Sequence, residues 1–337
     1  MDIQKISTDQ SLFNVSKELH LNEIKDLIDT HHVSKFNLFK LTVKRFLIDL
    51  FNFFSTKKKE YNSMRAVENV KAKYDQIAGS YIEYYYGEEG DKTNDFVAYN
   101  HFEKKIYLVN GNCMSTPANI ISKICDNYNL KSILEVGAGE LTTLLPVVKK
   151  SKKFNFVSAL DLSLNRLKKG KELFNKNNKE INQLIVCDAS NLPYQDNSFD
   201  ICYTHYCIEQ VPILAKKIID EMIRVSSKYV VIIEPSYEYS NKITKNRILE
   251  KGFPILKKKH FENINSKIIY RDGLPFTRYA LYGEITLLEK ITKIEGKPNL
   301  CHPINKDKLE INQNNINYEH HKIHIRDGII DLSNLNI

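Results

Sequence analysis

The stretch 132–139, with the sequence SILEVGAG, constrains the fold of this 337-residue chain more than any other feature. Its apolar residues predict a buried strand, and Gly137 and Gly139 allow a tight turn and a close approach to a ligand. The segment 141–148 then has helical periodicity. A strand, a glycine loop and a helix in this order predict a nucleotide-binding unit.

Acidic residues mark the ends of the three predicted strands. Glu135 lies in the first strand, Asp161 ends the apolar run 156–160, and Asp188 ends the run 183–187. Open α/β sheets bind ligands at the carboxyl edge of their parallel strands, so we expect these three side chains to gather at one edge.

Other glycine-loop proteins fit less well. A dinucleotide-binding loop needs a third glycine where this chain has Thr142, and a phosphate-binding loop needs Gly-Lys-Ser/Thr. An ordinary tight turn would account for the two glycines, but not for acidic residues at three strand ends.

Three segments resemble successive motifs of the class I S-adenosylmethionine-dependent methyltransferases: EVGAG at 135–139, ALDLS at 159–163 and CDASNLPYQDNSFD at 187–200. The last is similar to the type 11 small-molecule branch, and the resemblance covers about 75–290. Strands that alternate with helices already predict an α/β fold with a parallel sheet. The resemblance implies a Rossmann-like, seven-stranded sheet in the order 3-2-1-4-5-7-6, with the last strand antiparallel.

The resemblance also implies the cofactor, S-adenosyl-L-methionine, and its product, S-adenosyl-L-homocysteine. Asp161 would accept hydrogen bonds from both ribose hydroxyls, a charge-assisted pairing, and Asp188 would accept one from the adenine amine. Leu141 stands where the family often has a small residue, and its side chain would crowd the methionine end. The implied cofactor-binding residues are Tyr81, Glu135, Gly137, Ala138, Gly139, Asp161, Leu162, Asp188, Ala189 and His205.

Two residues are candidates for catalysis. His205 ends the fourth predicted strand beside the expected cofactor, and a neutral imidazole suits proton removal near pH 7. The alternative is a histidine that is merely hydrogen-bonded at a strand end. Glu234 ends the fifth strand, where it would face the methyl acceptor.

The chain divides into four zones. A helical N-terminal extension spans 1–60, where 12–27 has apolar residues at helical spacing, and lead-in helices that cap the substrate span 61–130. The cofactor-binding core spans 131–292, and a short β-rich tail spans 293–337. The tail resembles a Trm112-like zinc-ribbon module, but its ligand positions hold other residues, so we expect no bound metal. These positions are His302, Asn305, Ile316 and Glu319.

Composition bears on compartment and partners. Six cysteines are scattered singly and the first residues lack a signal-peptide core, which favours the cytoplasm. A net charge of +8 is only weak evidence for nucleic-acid binding, so a nucleic-acid partner is not expected. The segment 36–54 is apolar around most of a helix, and its four charges disfavour a membrane span. It predicts either a packed or homodimer-forming helix, or peripheral contact with a membrane.

The sequence therefore predicts a methyltransferase that acts on a small-molecule or glycan-type acceptor, at oxygen. Two alternatives remain open. One is an N-methyltransferase of an amine, peptide or RNA, and the other is a catalytically silent subunit that retains the methyltransferase fold.

Overall fold

The computed structural model describes the residues 15–19, 66–86, 96–109, 113–151, 153–240, 242–278, 282–294, 296–309, 311–312, 315–318 and 321–335. The segment 36–54, with both interpretations made of it, lies outside the described residues. In the described part, no helix combines the length and the apolar character that a membrane crossing requires.

The helices of the described part precede, separate or follow the strands of the sheet. In chain order they are α1 (Val67–Gln76), α2 (Ser80–Tyr86), α3 (Ser115–Asn127), α4 (Leu144–Lys150), α5 (Leu164–Lys176), α6 (Ala215–Val225), α7 (Lys242–Lys251) and α8 (Lys258–Phe261). Short 3-10 turns cover Ile208–Gln210, Pro212–Leu214 and Ser333–Leu335.

The described strands form a small sheet and a large one. In chain order they are β1 (Val15–Leu19), β2 (Phe96–Asn100), β3 (Lys105–Val109), β4 (Ser132–Val136), β5 (Phe156–Asp161), β6 (Gln183–Val186), β7 (Phe199–His205), β8 (Ser226–Pro235), β9 (Ser266–Gly273), β10 (Phe276–Arg278), β11 (Gly283–Lys290), β12 (Ile311–Asn312), β13 (Asn315–Tyr318), β14 (His321–Arg326) and β15 (Ile329–Asp331).

The large sheet has eleven strands in the order β12-β13-β14-β15-β6-β5-β4-β7-β8-β11-β9. Strands β6, β5, β4, β7 and β8 are mutually parallel, whereas β11 is antiparallel to both its neighbours. The α/β, Rossmann-like fold predicted from the sequence is confirmed. The parallel arrangement brings the carboxyl ends of β4, β5, β6 and β7 to one edge.

Helices cover both faces of this sheet, because its central strands are apolar on both sides. One buried cluster joins β4, β5 and β7 to α3, α4 and α5, with Ile120, Leu144 and Leu167 among its residues. The other lies on the opposite face and includes Ile219 and Met222 of α6. The two clusters together hold the strand ends in fixed positions.

The C-terminal tail is β-rich, as expected, and it extends the large sheet. Strand β15 pairs in parallel with β6, with Ile330 opposite Ile185, and β12–β14 continue outward from it. Among the described residues, no group of three or more His, Cys, Asp or Glu side chains could hold a metal ion. The Nδ1 atom of His302 instead accepts hydrogen bonds from two backbone amides of the following turn.

The small sheet corrects part of the predicted N-terminal helix. Its order is β1-β3-β2-β10, so 15–19 is a strand, although 12–27 has helical spacing. Val15 lies opposite Val109, and Leu19 lies opposite Ile106. The edge of β3 supplies backbone partners that an isolated segment lacks, and this tertiary pairing outweighs local periodicity. The other residues of 1–60 lie outside the described part.

Candidate cofactor and acceptor site

The glycine loop is tied to the end of the neighbouring strand. The backbone amides of Gly137 and Ala138 both donate to the carbonyl oxygen of Leu160, at 3.0 and 2.9 Å. Gly137 has a φ of 71° and Gly139 a φ of 53°. A Cβ atom on Gly137 would overlap Cys207, and one on Gly139 would overlap the guanidinium of Arg166. The close approach of Cys207 therefore requires a glycine at 137, and the positive φ favours glycine at both positions.

Asp161 lies directly beside this loop. It is 8% exposed, and its Oδ2 accepts a hydrogen bond of 2.8 Å from the amide of Gly139, while Oδ1 accepts one of 2.9 Å from the amide of Ser163. A carboxylate oxygen can accept a second hydrogen bond. Each oxygen therefore keeps acceptor capacity for a ligand hydroxyl.

Asp188 follows the next strand of the same edge. The amide of Cys187 donates to the carbonyl of Asp161 at 3.1 Å, which joins the two segments. The Oδ1 atom of Asp188 accepts a hydrogen bond of 2.7 Å from the amide of Ser190. Ala189 and Leu162 are half-buried on the two neighbouring loops. The fold thus places the predicted adenine and ribose residues on adjacent strand ends.

Glu135 lies in the sheet beneath the loop and is 2% exposed. Its partner across the β4–β7 pair is Tyr203. Burial raises the pKa of the Glu135 carboxyl to about 8, against the opposing effect of the nearby Tyr203 hydroxyl. The side chain is therefore largely protonated at neutral pH, which avoids an uncompensated buried charge.

His205 ends β7 and contacts Thr143, the residue directly before α4. Its Nδ1 lies 3.0 Å from Oγ1 of Thr143, and this hydroxyl donates to Sδ of Met114 at 3.6 Å. The Tyr206 ring stacks on the imidazole, with 4.4 Å between centroids. Burial lowers the pKa of His205 to about 3, so the ring is neutral. The imidazole is therefore held by contacts on one nitrogen and one face.

Glu234 does not take the position expected from the sequence. It is 1% exposed, and its two oxygens accept hydrogen bonds of 2.8 to 3.1 Å from the amides of Cys207, Ile208 and Glu209. The carboxyl group therefore caps the 3-10 turn after β7. This geometry holds the loop that carries Tyr206 and Cys207 against the glycine loop.

Sequence reasoning missed Glu140, which anchors the lead-in helices to the glycine loop. Its fully buried carboxylate accepts hydrogen bonds from the amides of Gly79, at 3.0 Å, and Ile82, at 2.8 Å. These amides lie at the start of α2, where a helix favours a negative charge. An acidic residue directly after the glycine pair was the signal available in the sequence.

Arg166 was also missed, and it explains where Tyr81 lies. Its Nε is 3.4 Å from Oε1 of Glu140, and its Cζ lies 4.8 and 4.6 Å from the ring centroids of Tyr74 and Tyr81. Burial lowers the pKa of the guanidinium, but Asp161 and Glu140 raise it more. The cation thus joins Tyr81 of α2 to the loop and to Asp161.

Leu141, which was expected to crowd the methionine end of the cofactor, packs into the core of the domain. It is fully buried and has a φ of 59°. A Cβ atom on Gly170 of α5 would overlap its side chain, so Leu141 packs against that helix. The positive φ turns the side chain into the core, which no local sequence pattern indicates.

We expect Glu140→Gln to loosen the lead-in helices. The amide group would turn a donor towards one of the two backbone amides and would lose the Arg166 ion pair, at a cost of about 2 kcal/mol. Hydrogen–deuterium exchange in Ser80–Tyr86 should become faster. Glu172→Gln is the matched control, because Glu172 is 58% exposed and forms an ion pair of 2.9 Å with Lys169. Equal protection in both variants would contradict the anchoring role.

Comparison with known proteins assigns the centre of this site. Residues 134–232 match the family model described as a methyltransferase domain. This segment is similar to a methyltransferase domain. It contains the glycine loop, both aspartates and His205, and it ends just before Glu234.

Solved structures with similar folds include three methyltransferases. Magnesium protoporphyrin IX methyltransferase from Synechocystis PCC 6803, with bound S-adenosylmethionine, is 13% identical and has a TM-score of 0.41, covering 52% of this chain and 79% of that one. Geranyl diphosphate C-methyltransferase from Streptomyces coelicolor is 10% identical, with a TM-score of 0.39 and coverage of 48% and 70%. A methyltransferase from Aquifex aeolicus is 16% identical and has a TM-score of 0.36. The match covers 50% of this chain and 88% of that one.

S-adenosyl-L-methionine is the cofactor that the sequence resemblance implies. The donor set of the site fits it, because Asp161 and Asp188 present carboxylate oxygens on adjacent strand ends and the half-buried Leu162 offers an apolar surface. The two carboxylates suit hydroxyl and amine donors, and the leucine suits a planar ring.

Proposed function

We propose that this chain is a methyltransferase whose acceptor is a small molecule or glycan with a reactive hydroxyl. The observation that carries the proposal is the convergence of Asp161, Asp188 and the 137–139 loop at one sheet edge, inside the segment that matches the methyltransferase domain. The bound cofactor supplies a methyl group already activated by its sulfonium charge. The protein's main task is then to position the acceptor.

The residues of the cofactor site have distinct roles in this proposal. Asp161 binds the ribose hydroxyls through the acceptor capacity that its two backbone hydrogen bonds leave. Asp188 and the amide of Ala189 read the adenine edge, and Leu162 packs on its face. Tyr81, held by Arg166, covers the site from α2. Glu135 supports the loop from within the sheet, where it stays protonated.

His205 orients the acceptor in this proposal. A ring whose pKa is lowered to about 3 accepts a hydrogen bond at neutral pH but holds a proton weakly. The contacts with Thr143 and Tyr206 fix the ring plane, so one nitrogen is left to face the acceptor hydroxyl. Glu234, which was a candidate for catalysis, acts as a positioning residue through the 208–210 turn.

We expect His205 to remain neutral from pH 5 to 9, because its pKa is lowered to about 3, unlike a free histidine, whose pKa is about 6.5. The physical reason is burial, which disfavours the charged ring. Since the unfolded chain binds this proton below 6.5 and the folded chain only near 3, stability from this group falls as pH falls through that window. ¹⁵N NMR of the histidine rings, assigned with His205→Asn, measures it. An inflection of the His205 signal near pH 6.5 would contradict the burial argument.

Calorimetric titration with S-adenosyl-L-homocysteine tests the proposal directly. Binding, followed by a 14 Da mass increase in a hydroxyl-bearing acceptor of a screened panel, supports it. An increase only in amines, peptides or RNA would favour the N-methyltransferase alternative. Failure to bind by a folded protein with Asp161 intact would favour the catalytically silent subunit.

A further inference from the structure

The connection between β6 and β7 includes a segment, 187–196, that is held on both sides by the C-terminal tail. We call it the β6–β7 loop. It begins with Cys187 and Asp188, directly after the strand to which the tail adds β15. Its position therefore depends on residues more than a hundred positions later in the chain.

The tail holds the beginning of the loop through the sheet. Asp331 pairs with Val186 across β15 and β6, and the amide of Leu332 donates to the carbonyl of Val186 at 3.0 Å. Leu332 is fully buried. Main-chain pairing thus reaches to within two residues of Asp188.

The tail also holds the end of the loop. The amide of Cys301 donates to the carbonyl of Pro193, and the amide of Gln195 donates to the carbonyl of Asn299, both at 3.0 Å. A β-bridge between Tyr194 and Leu300 lies between these contacts. The loop is therefore enclosed by two separate tail segments.

Lys306 of the tail contacts the middle of the β6–β7 loop. Its Nζ lies 3.0 Å from Oε2 of Glu221 and donates to the carbonyl of Leu192 at 3.2 Å. The same Glu221 oxygen accepts a hydrogen bond of 2.7 Å from the amide of Leu192, and Arg224 donates to the Leu192 carbonyl at 2.9 Å. Both backbone polar groups of Leu192 are therefore held by charged side chains, one of which comes from the tail.

The ionised state of Glu221 and the backbone conformation of Lys306 both indicate that Lys306 is held in one position. Burial raises the pKa of Glu221, but hydrogen bonds and charges from Arg224 and Lys306 lower it more, so the carboxylate stays ionised. Lys306 itself has a φ of 64°, a conformation unfavourable for lysine that persists where surrounding contacts hold it. The side chain therefore has specific partners, unlike a solvated surface lysine.

We propose that the tail, through Lys306, positions the β6–β7 loop so that Asp188 discriminates adenine from a 6-oxopurine. This inference rests on the proposed function, in which Asp188 accepts a hydrogen bond from the adenine amine. A 6-oxopurine presents an oxygen at that place, which a carboxylate repels. Such discrimination depends on the exact place of the carboxylate, and hence on the loop that carries it.

The test compares the dissociation constants of S-adenosyl-L-homocysteine and S-inosyl-L-homocysteine in five proteins, the wild type and four variants, by calorimetry. We expect the wild type to prefer the adenosyl compound by about 10-fold or more, since the inosyl compound leaves the Asp188 carboxylate without its hydrogen-bond donor. Lys306→Met approximately keeps the length of the side chain but removes its charge and its hydrogen-bond donors. It should lower the ratio of the two dissociation constants about 5-fold. Lys306→Arg should restore it. Lys267→Met, which removes a lysine paired with Glu289 at 3.1 Å on β9, should leave it unchanged.

The outcomes separate the two proposals. If the folded wild type binds neither compound, the proposed function fails. If it discriminates, and Lys306→Met lowers the melting temperature without changing the ratio, the tail has only a structural role and the inference is overturned. If Asp188→Asn retains the full ratio, the adenine is read elsewhere, which also overturns it. A ratio narrowed by Lys306→Met and restored by Lys306→Arg supports it.

Discussion

Asp161→Asn should weaken the binding of S-adenosyl-L-homocysteine about 100-fold. The carboxylate already accepts one backbone hydrogen bond on each oxygen, and in our proposal it accepts two more from the ribose. An asparagine would replace one acceptor oxygen by an NH₂ group. Its two N–H donors would then face the donors of the loop or of the ligand. Asparagine keeps one acceptor oxygen, and the loss of one charge-assisted hydrogen bond, worth about 1.5–3 kcal/mol, corresponds to a change of up to about 100-fold. Calorimetric titration measures it directly.

The control is Asp327→Asn, the same change at a side chain that is 70% exposed and pairs with Lys168. A surface pair of this kind contributes little, so we expect unchanged affinity. The 2′-deoxy analogue of the ligand adds a second check, because Asp161→Asn should lower its affinity less than that of the full nucleoside. Equal losses for both ligands would show that the variant acts on the loop and not on the ribose.

Gly137→Ala should lower the free energy of unfolding by about 2–5 kcal/mol. The residue has a φ of 71°, which costs an L-residue roughly 1–2 kcal/mol. The new methyl group would also overlap the side chain of Cys207, and overpacking of a buried site costs about 1–3 kcal/mol. Urea denaturation measures the difference from the wild type.

Gly79→Ala separates these two effects. Gly79 also has a positive φ, of 100°, but a Cβ atom there would have its nearest contact at 4.0 Å, with Lys169. It should therefore show the backbone cost alone. Adding Cys207→Gly to Gly137→Ala should recover part of the loss. If Gly137→Ala and Gly79→Ala lower stability equally, the close approach of Cys207 has no energetic consequence.

The elements that could be predicted from sequence are those whose signals are local. The apolar run at 132–136 was predicted as a strand and is β4, and the predicted strand 156–160 falls within β5. Both segments are rich in apolar residues and bounded by turns, so their burial can be predicted from the local sequence. The same reasoning placed Asp161 and Asp188 at strand ends.

The roles of Glu234 and Leu141 required the tertiary structure. Glu234 ends its strand as predicted, but the amides that it caps come from 207–209, about 25 residues earlier in the chain. Leu141 follows the glycine pair, and its direction is decided by a positive φ and by the space above Gly170. Contacts between distant segments produce no periodic pattern in the sequence around Glu234 or Leu141.

The order of residues by itself determined the α/β fold, the glycine loop and the acidic strand ends, because each depends on burial and backbone freedom within a few residues. Only the tertiary structure decided that 15–19 pairs as a strand, that Arg166 lies between two tyrosines, and that Lys306 reaches the β6–β7 loop. These features arise when groups far apart in the chain satisfy each other's hydrogen bonds and charges. Such pairings exist only once the sheet has brought the groups together.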